Sequence, residues 1–389
     1  MDFSHIISFP EPDYDDSILP ERIRTTIPEQ YHTVVFKQVE KLKQLQQQKT
    51  QRMVYVYMDI MAVPPPEGIQ NIQKWNFAIG ISLQEFNQIA GDISITIISP
   101  VPNAEESYKK QCKIAGIECN IKEFIASTKR DITWCWKNSH PESTSKIDYD
   151  CEYLFNITNG KAKLYRLMLM KELWDSKLLD RAVWSWGRHR AYDFDYGLDM
   201  VNTTFPYLET KRLDEIAEDD KGNPNPAWDN SVWPMPADYN KCYIEVMVEY
   251  MGAPDQIFFT EKTFRSYYNS KPCLQLSHYG HYYALQDIGV KLYDEMFDYD
   301  IIEQVSLGKR IAGIVENLKR LSQLTNREMD KLIKTIEPKI QYNYELFCNL
   351  TPEPFPIKEL DWLWDNMLLP GDMWTPIRLD KLEKIFPKQ

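Results

Sequence analysis

Residues 241–299 restrict the fold more than any other part of the chain. The run from Cys242 to Tyr250 is apolar and β-prone, which predicts a buried strand. A short loop with Gly252, Pro254 and Asp255 follows. Thr260-Glu261-Lys262-Thr263-Phe264 then opens a helix, with Thr260 as N-cap and Glu261 in a first turn that favours acids. Pro272 to Leu276 predicts a second strand, and Gly280 breaks the chain ahead of another helix. Strand, loop, helix, strand, loop, helix is one half of a doubly wound α/β domain. The loop after the first strand therefore delivers a carboxylate and an ammonium, Glu261 and Lys262, to a helix N-terminus. Oriented backbone N–H groups there can receive a phosphate.

The rest of the chain repeats this grammar. Residues 1–30 are rich in Pro and Asp and are expected to wrap the surface. Val34, Val35, Val39 and Leu42 give 32–51 one apolar helical side. Strands are expected from Met53 to Asp59, from Ile93 to Ile98, from Ile117 to Phe124 and from Ile132 to Trp136. Between them, Leu83 to Ala90 and Asn103 to Ala115 are helical in pattern, the second closed by Gly116. A polar connector around Pro141 separates this part from a strand at Tyr153 to Asn156, a helix at Leu164 to Lys177 and a strand at Leu178 to Ser185. Loop-rich sequence fills 191–240, with Asp214 to Asp220 as a solvated acidic face. Ile301 to Glu337 is mainly helical, and Pro338 is expected to interrupt it. The resulting division is 1–138, a linker at 139–150, a second domain at 151–345 and a C-terminal segment at 346–389 that packs back across the fold.

Composition narrows the function classes. The chain of 389 residues is about right for two domains. A formal net charge of −12 gives no overall field toward nucleic acid. No apolar run approaches the ~20 residues of a membrane span, and the opening residues lack a signal peptide's pattern, so a cytoplasmic setting is expected. The seven Cys are scattered without metal-ligand spacing and are expected to be reduced, mostly buried thiols.

Three segments resemble a glycosyltransferase family common in large DNA viruses and phages: Phe259 to Phe264, Lys271-Pro272, and Ile288-Gly289-Val290-Lys291-Leu292-Tyr293-Asp294. More distantly, Thr260-Glu261-Lys262 resembles the signature of fucosyltransferases with the GT-B fold. The run from Phe155 to Arg166, with Asn156, Asn159, Gly160, Lys161 and Lys163, is similar to the first β-α unit of that donor domain. Tyr342-Asn343-Tyr344 matches a recurrent position near the family's C-terminal helix.

The resemblance implies an α/β fold of two Rossmann-like domains facing a cleft, GT-B-like, in a cytoplasmic enzyme (host cytoplasm if viral). It implies a nucleotide-diphosphate sugar as donor substrate, and no cofactor or metal. Glu261 would hold the ribose hydroxyls, and Lys262 and Arg166 the diphosphate, with Lys161, Thr260 and Thr263 around them. His278 and His281, which flank Gly280, are further candidates for the diphosphate or sugar, against the commoner reading of a loop histidine as exposed.

Transfer needs a stabilised leaving group, a deprotonated acceptor hydroxyl and exclusion of water. The base is expected in the first domain, with Asp59 at a strand end preferred over Glu67 and Glu85. Asp193-Phe-Asp195 is the metal-binding alternative, and Arg188, His189 and Arg190 beside Trp184 form another anion-binding candidate. The acceptor is a glycan, a protein or hydroxymethylated pyrimidine in DNA. The alternative class is a non-catalytic nucleotide-binding or scaffold protein of the same fold.

Overall fold

The computed structural model describes residues 6–9, 40–58, 82–130, 132–133, 147–159, 164–186, 239–249, 256–351, 354–358 and 360–361. The chain divides into two compact units. One comprises Met1–Asp131, Met251–Gln256 and Pro352–Gln389, the other Ile132–Tyr250 and Ile257–Thr351. Each is α/β with a parallel sheet.

The first unit holds strands β1 (Ile6–Phe9), β2 (Val54–Met58), β3 (Ile95–Ser99) and β4 (Glu123–Ala126), side by side in chain order and all parallel. Helix α1 (Leu83–Asp92) leads into β3, and α2 (Ala104–Ala115) follows it. Ser82 caps α1 by accepting the Glu85 N–H at 3.1 Å. Gly116 closes α2 at φ 69°, a left-handed conformation in which a side chain would be strained. All five residues of β3 are buried, the signature of a strand covered on both faces.

Four expectations change in this unit and in the residues that follow it directly in the chain. Ile6–Phe9, expected to wrap the surface, is a strand on the sheet edge. The fourth strand starts at Glu123, not near Ile117, because Asn87 holds the preceding loop. Asn103 precedes α2 without a side-chain capping bond. Residues 132–133 are helical rather than extended. A helical turn has already begun where the Arg130 N–H bonds the Ser127 carbonyl at 2.9 Å. Arg130 is buried, pairs with Asp361 at 2.5 Å and stacks 4.0 Å from the Phe355 ring centroid, so part of the C-terminal segment packs on this unit.

The second unit holds β5 (Tyr153–Asn159), β6 (Ala182–Trp186), β7 (Cys242–Val248) and β8 (Cys273–Leu276). Their order is β6-β5-β7-β8, all parallel. Its helices are α3 (Leu164–Asp175), α4 (Glu261–Tyr268), α5 (His281–Asp287), α6 (Leu307–Ser322) and α7 (Asn326–Cys348). α3 packs with α6, and α4 packs with α7. The far end of the expected linker is fastened to this unit: Asp148 pairs with Lys271 at 3.1 Å, and the Tyr149 hydroxyl donates to Glu337 at 3.0 Å.

Two further expectations change here. Leu178–Arg181 is a 3-10 turn, and the strand begins only at Ala182. Pro338 does not interrupt its helix, since α7 runs from Asn326 to Cys348 through it. A capping box between Thr325 and Glu328 fixes its start, and buried Ile333, Ile336, Ile340 and Phe347 hold both halves, outweighing the one backbone bond proline removes. No helix among the described residues is long and apolar enough to cross a membrane.

Candidate functional site

The strand order of the second unit reverses between β5 and β7. The chain leaves β5 toward β6 on one side, then returns past it to β7 and β8 on the other. Ligands of open parallel sheets gather outside the carboxyl ends of the strands at such a reversal. Arg166 lies in the first turn of α3, after β5, and Lys262 in the first turn of α4, after β7. The topology therefore brings these two cations, distant in sequence, to the carboxyl ends of adjacent strands. Both are half-buried, and the Arg166 guanidinium lies 5.8 Å from the Tyr165 ring centroid.

The start of α4 is fixed by a residue that the sequence reading passed over. Glu249 follows β7, is fully buried, and bonds through its N–H to the Leu276 carbonyl at 2.9 Å. The Thr260 hydroxyl donates to one of its carboxylate oxygens at 2.8 Å, and the Thr263 hydroxyl donates to the other. Having given its proton to Glu249, the Thr260 oxygen accepts the Lys262 N–H at 3.2 Å. The Thr263 N–H goes to the Thr260 carbonyl at 3.0 Å. Thr260 is thus the N-cap, Glu261 the first helical residue, and Thr263 is turned inward.

The same face of β7 carries a second carboxylate, Glu245, because side chains repeat every two residues along a strand. Glu245 is fully buried and accepts from both Nε and Nη2 of Arg265, with Nε at 2.8 Å, and from the Tyr239 hydroxyl at 2.7 Å. Burial first, and Glu245 second, push the Tyr239 phenol well above its usual range. Arg265 also reaches the Thr158 hydroxyl of β5 at 3.3 Å, so α4 is tied to both central strands.

The loop after β8 contributes differently from expectation. Gly280 sits at φ 90°, and its N–H and that of Tyr282 both donate to Glu303 at 2.7 Å. Burial raises the Glu303 carboxyl, while these two bonds favour its ionised form. The N-terminus of α5 therefore already carries a carboxylate.

His278 is half-buried in this loop. His281, read as an exposed loop residue, is buried at 1% exposure and packs edge-on to Phe259 at 5.2 Å. The Gln275 amide donates to the Thr263 carbonyl at 3.3 Å, which leaves its oxygen to accept the His281 Nε2–H at 2.5 Å. Burial, then His278, lowers the His281 pKa to about 3, so the ring is neutral.

Among the described residues, several buried polar groups on or just after these strands have no hydrogen-bond partner. The carboxamides of Asn156 and Asn159, both on β5, find no hydrogen-bond partner although each is at most 1% exposed. The Ser277 hydroxyl after β8 and Nδ1 of His281 are in the same condition. Such orphans cost about 1–3 kcal/mol each, so each calls for a partner such as a water or a ligand.

The other matched segments are structural. Asn343 accepts the Lys291 N–H at 2.8 Å and donates to the Lys291 carbonyl at 2.9 Å and the Tyr293 hydroxyl at 3.1 Å, clamping the Gly289–Asp294 step to α7. Lys271 is buried at the amino end of β8, 4.7 Å from the Tyr239 ring centroid and bonded to the carbonyl of Cys242 at the start of β7, the opposite end of the strands from Lys262. Glu85 pairs with Lys43 at 2.6 Å on an exposed part of α1. Asp59, Glu67, Lys161, Arg188, His189, Arg190, Asp193 and Asp195 lie outside the described residues. Among the described residues no three of His, Cys, Asp and Glu cluster as metal ligands. No protein-family model, no curated protein and no solved structure matches this chain.

Proposed function

We propose that this chain is a glycosyltransferase of GT-B-like architecture that moves a sugar from a nucleotide-diphosphate sugar to an acceptor hydroxyl. The observation that carries the reading is the placement of Arg166 and Lys262 in the first turns of the helices that follow adjacent strands β5 and β7. Two cations at a strand-order reversal suit a diphosphate. The orphan amide of Asn159, the last residue of β5, supports a polar ligand at the end of that strand.

In this reading the diphosphate is held chiefly by side-chain charge. The first turn of α4 has spent the Lys262 and Thr263 N–H groups on Thr260. Lys262 and Arg166 neutralise the negative charge that grows on the leaving diphosphate as the glycosidic bond breaks. Glu261 takes the ribose hydroxyls. Glu249 touches no ligand; it positions Thr260 and with it the whole turn. The acceptor proton goes to a base in the first unit, for which Asp59 remains the assignment. Transfer needs no metal in this scheme, because fixed cations supply the leaving-group charge.

A thermal-shift screen of nucleotide-diphosphate sugars in EDTA tests the reading. A matching donor at a hundred times its Kd stabilises the folded state by about 2.7 kcal/mol and raises Tm. No shift with any nucleotide sugar would contradict donor binding. A shift seen only with added Mn²⁺ would contradict the metal-independent scheme. Binding without slow release of nucleotide diphosphate would favour a non-catalytic nucleotide-binding protein.

A further inference from the structure

We propose that Tyr279 and Tyr283 form a stacking platform for a neutral carbohydrate chain, which on the glycosyltransferase reading above is the acceptor. The platform follows from how α5 divides its residues. His281, Tyr282, Ala284 and Leu285 are buried, while Tyr283, Gln286 and Asp287 are exposed. The exposed three are spaced three and four apart and share one side of the helix. Tyr279, just before the N-cap Gly280, extends that side, its ring centroid 6.3 Å from that of Tyr283 and the rings at 81°.

The frame beneath the two rings is fastened. The Tyr282 hydroxyl accepts the Gln275 N–H at 2.6 Å and donates to the Gln275 carbonyl at 3.1 Å. Glu303 holds the N–H groups of Gly280 and Tyr282, and the Ala284 N–H bonds the Gly280 carbonyl at 2.9 Å. Tyrosines on a fixed frame offer a large amphipathic contact at little cost in conformational entropy.

Tyr279 and Tyr283 are 50% and 51% exposed. The other two exposed tyrosines among the described residues are already engaged. Tyr149 donates to Glu337, with Lys334 at 5.6 Å from its ring centroid, and Lys291 lies 3.7 Å from the Tyr342 ring centroid. Among the described residues Tyr279 and Tyr283 have only each other, and neither hydroxyl is hydrogen-bonded.

The polar surroundings select the ligand. A tyrosine ring can stack on the C–H face of a sugar or on a base, so the neighbouring charges decide. Gln286 and Asp287 offer an amide and a carboxylate to hydroxyl groups. Burial first, then Glu303, Tyr279 and Asp300, raise the Tyr283 phenol, which stays a hydroxyl donor at neutral pH. Carboxylates around the rings repel phosphate and sulfate and leave an uncharged polyol as the suited ligand. The platform follows β8, the strand beside β7, so it lies at the same carboxyl end of the sheet as Lys262.

The test is a printed array of neutral oligosaccharides ending in glucose, galactose, mannose, fucose or N-acetylglucosamine, with heparin and single-stranded DNA beside them. The full chain is applied without nucleotide sugar. At least one neutral glycan should be retained, at high as at low salt. In calorimetric titration with that glycan, Tyr279→Ala and Tyr283→Ala should each weaken binding roughly tenfold or more. Tyr283→Phe, which keeps the ring, should weaken it much less. Gln286→Ala and Asp287→Ala, at exposed positions, should also weaken it, and they decide the matter if an alanine in place of tyrosine unfolds the chain. Retention of heparin or DNA instead of neutral glycans, retention of no glycan, or wild-type affinity in both tyrosine-to-alanine variants would overturn the proposal. Glycan retention by a chain whose Tm no nucleotide sugar shifts would leave the platform standing and remove its acceptor role. A nucleotide-sugar shift without glycan retention would overturn the platform and leave the donor reading intact.

Discussion

The Thr260 hydroxyl hydrogen-bonds Glu249 at 2.8 Å, across the loop that separates β7 from α4. With Thr263 on the second carboxylate oxygen, one buried acid sets where the helix begins and therefore where Lys262 stands. A carboxylate so near the proposed phosphate position is tolerable because both its oxygens face hydroxyl donors from within the unit.

Glu249→Ala should leave the Thr263 hydroxyl buried without its acceptor and the Thr260 cap unsupported. The expected loss is about 1–3 kcal/mol for the orphaned group, measured by urea unfolding. Glu249→Gln keeps one acceptor oxygen and should lose less. If Glu249→Ala unfolds at the wild-type midpoint, Glu249 is not the anchor described.

Glu245 and Arg265 form the second tie between β7 and α4, with Glu245 fully buried and the Arg265 side chain 12% exposed. Removing one partner strands the other charge. Glu245→Ala is expected to cost about 3–5 kcal/mol, whereas replacing both partners with apolar residues of similar volume should cost far less. Equal losses in the single and double variants would mean that packing, not the stranded charge, dominates.

This network shows why the strand was legible and its role was not. The run from Cys242 to Tyr250 was recognisable as a buried strand from its apolar residues, but the same pattern hid Glu245 and Glu249 as interruptions. Their meaning lies in partners up to twenty residues away on α4. The capping role of Thr260 was readable because capping is local, and Gly116 likewise. Ile6–Phe9 was not, since four residues carry no periodicity and edge pairing is decided by β2. His281 looked like a loop residue next to Gly280; only the fold buries it beneath Phe259. Pro338 misled because tertiary packing on both sides outweighs a local break.

His281 makes stability depend on pH with a definite sign. Its pKa falls from 6.5 to about 3 on folding, chiefly through burial. The folded state thus binds fewer protons than the unfolded state between these values. Its contribution is complete above about pH 6.5 and is lost as pH falls toward 3. By pH 5 the loss is about 2 kcal/mol. His281→Gln should lack this component, so wild type should lose about 2 kcal/mol more than the variant between pH 7 and pH 5 in urea titrations. Identical pH dependence of the two proteins would contradict a neutral, buried imidazole.

The central claim is that Lys262 and Arg166 hold the donor diphosphate, and donor turnover in the absence of acceptor tests it most directly. Steady-state release of nucleotide diphosphate should be compared in wild type, Lys262→Ala, Arg166→Ala and Glu261→Gln. An ammonium or guanidinium on the leaving group matters most as charge develops, so each cation variant should lower kcat roughly 10²-fold or more. A carboxylate on the ribose contributes to ground-state binding, so Glu261→Gln should chiefly raise KM. Wild-type kcat and KM in both Lys262→Ala and Arg166→Ala would contradict the account and place the phosphates elsewhere.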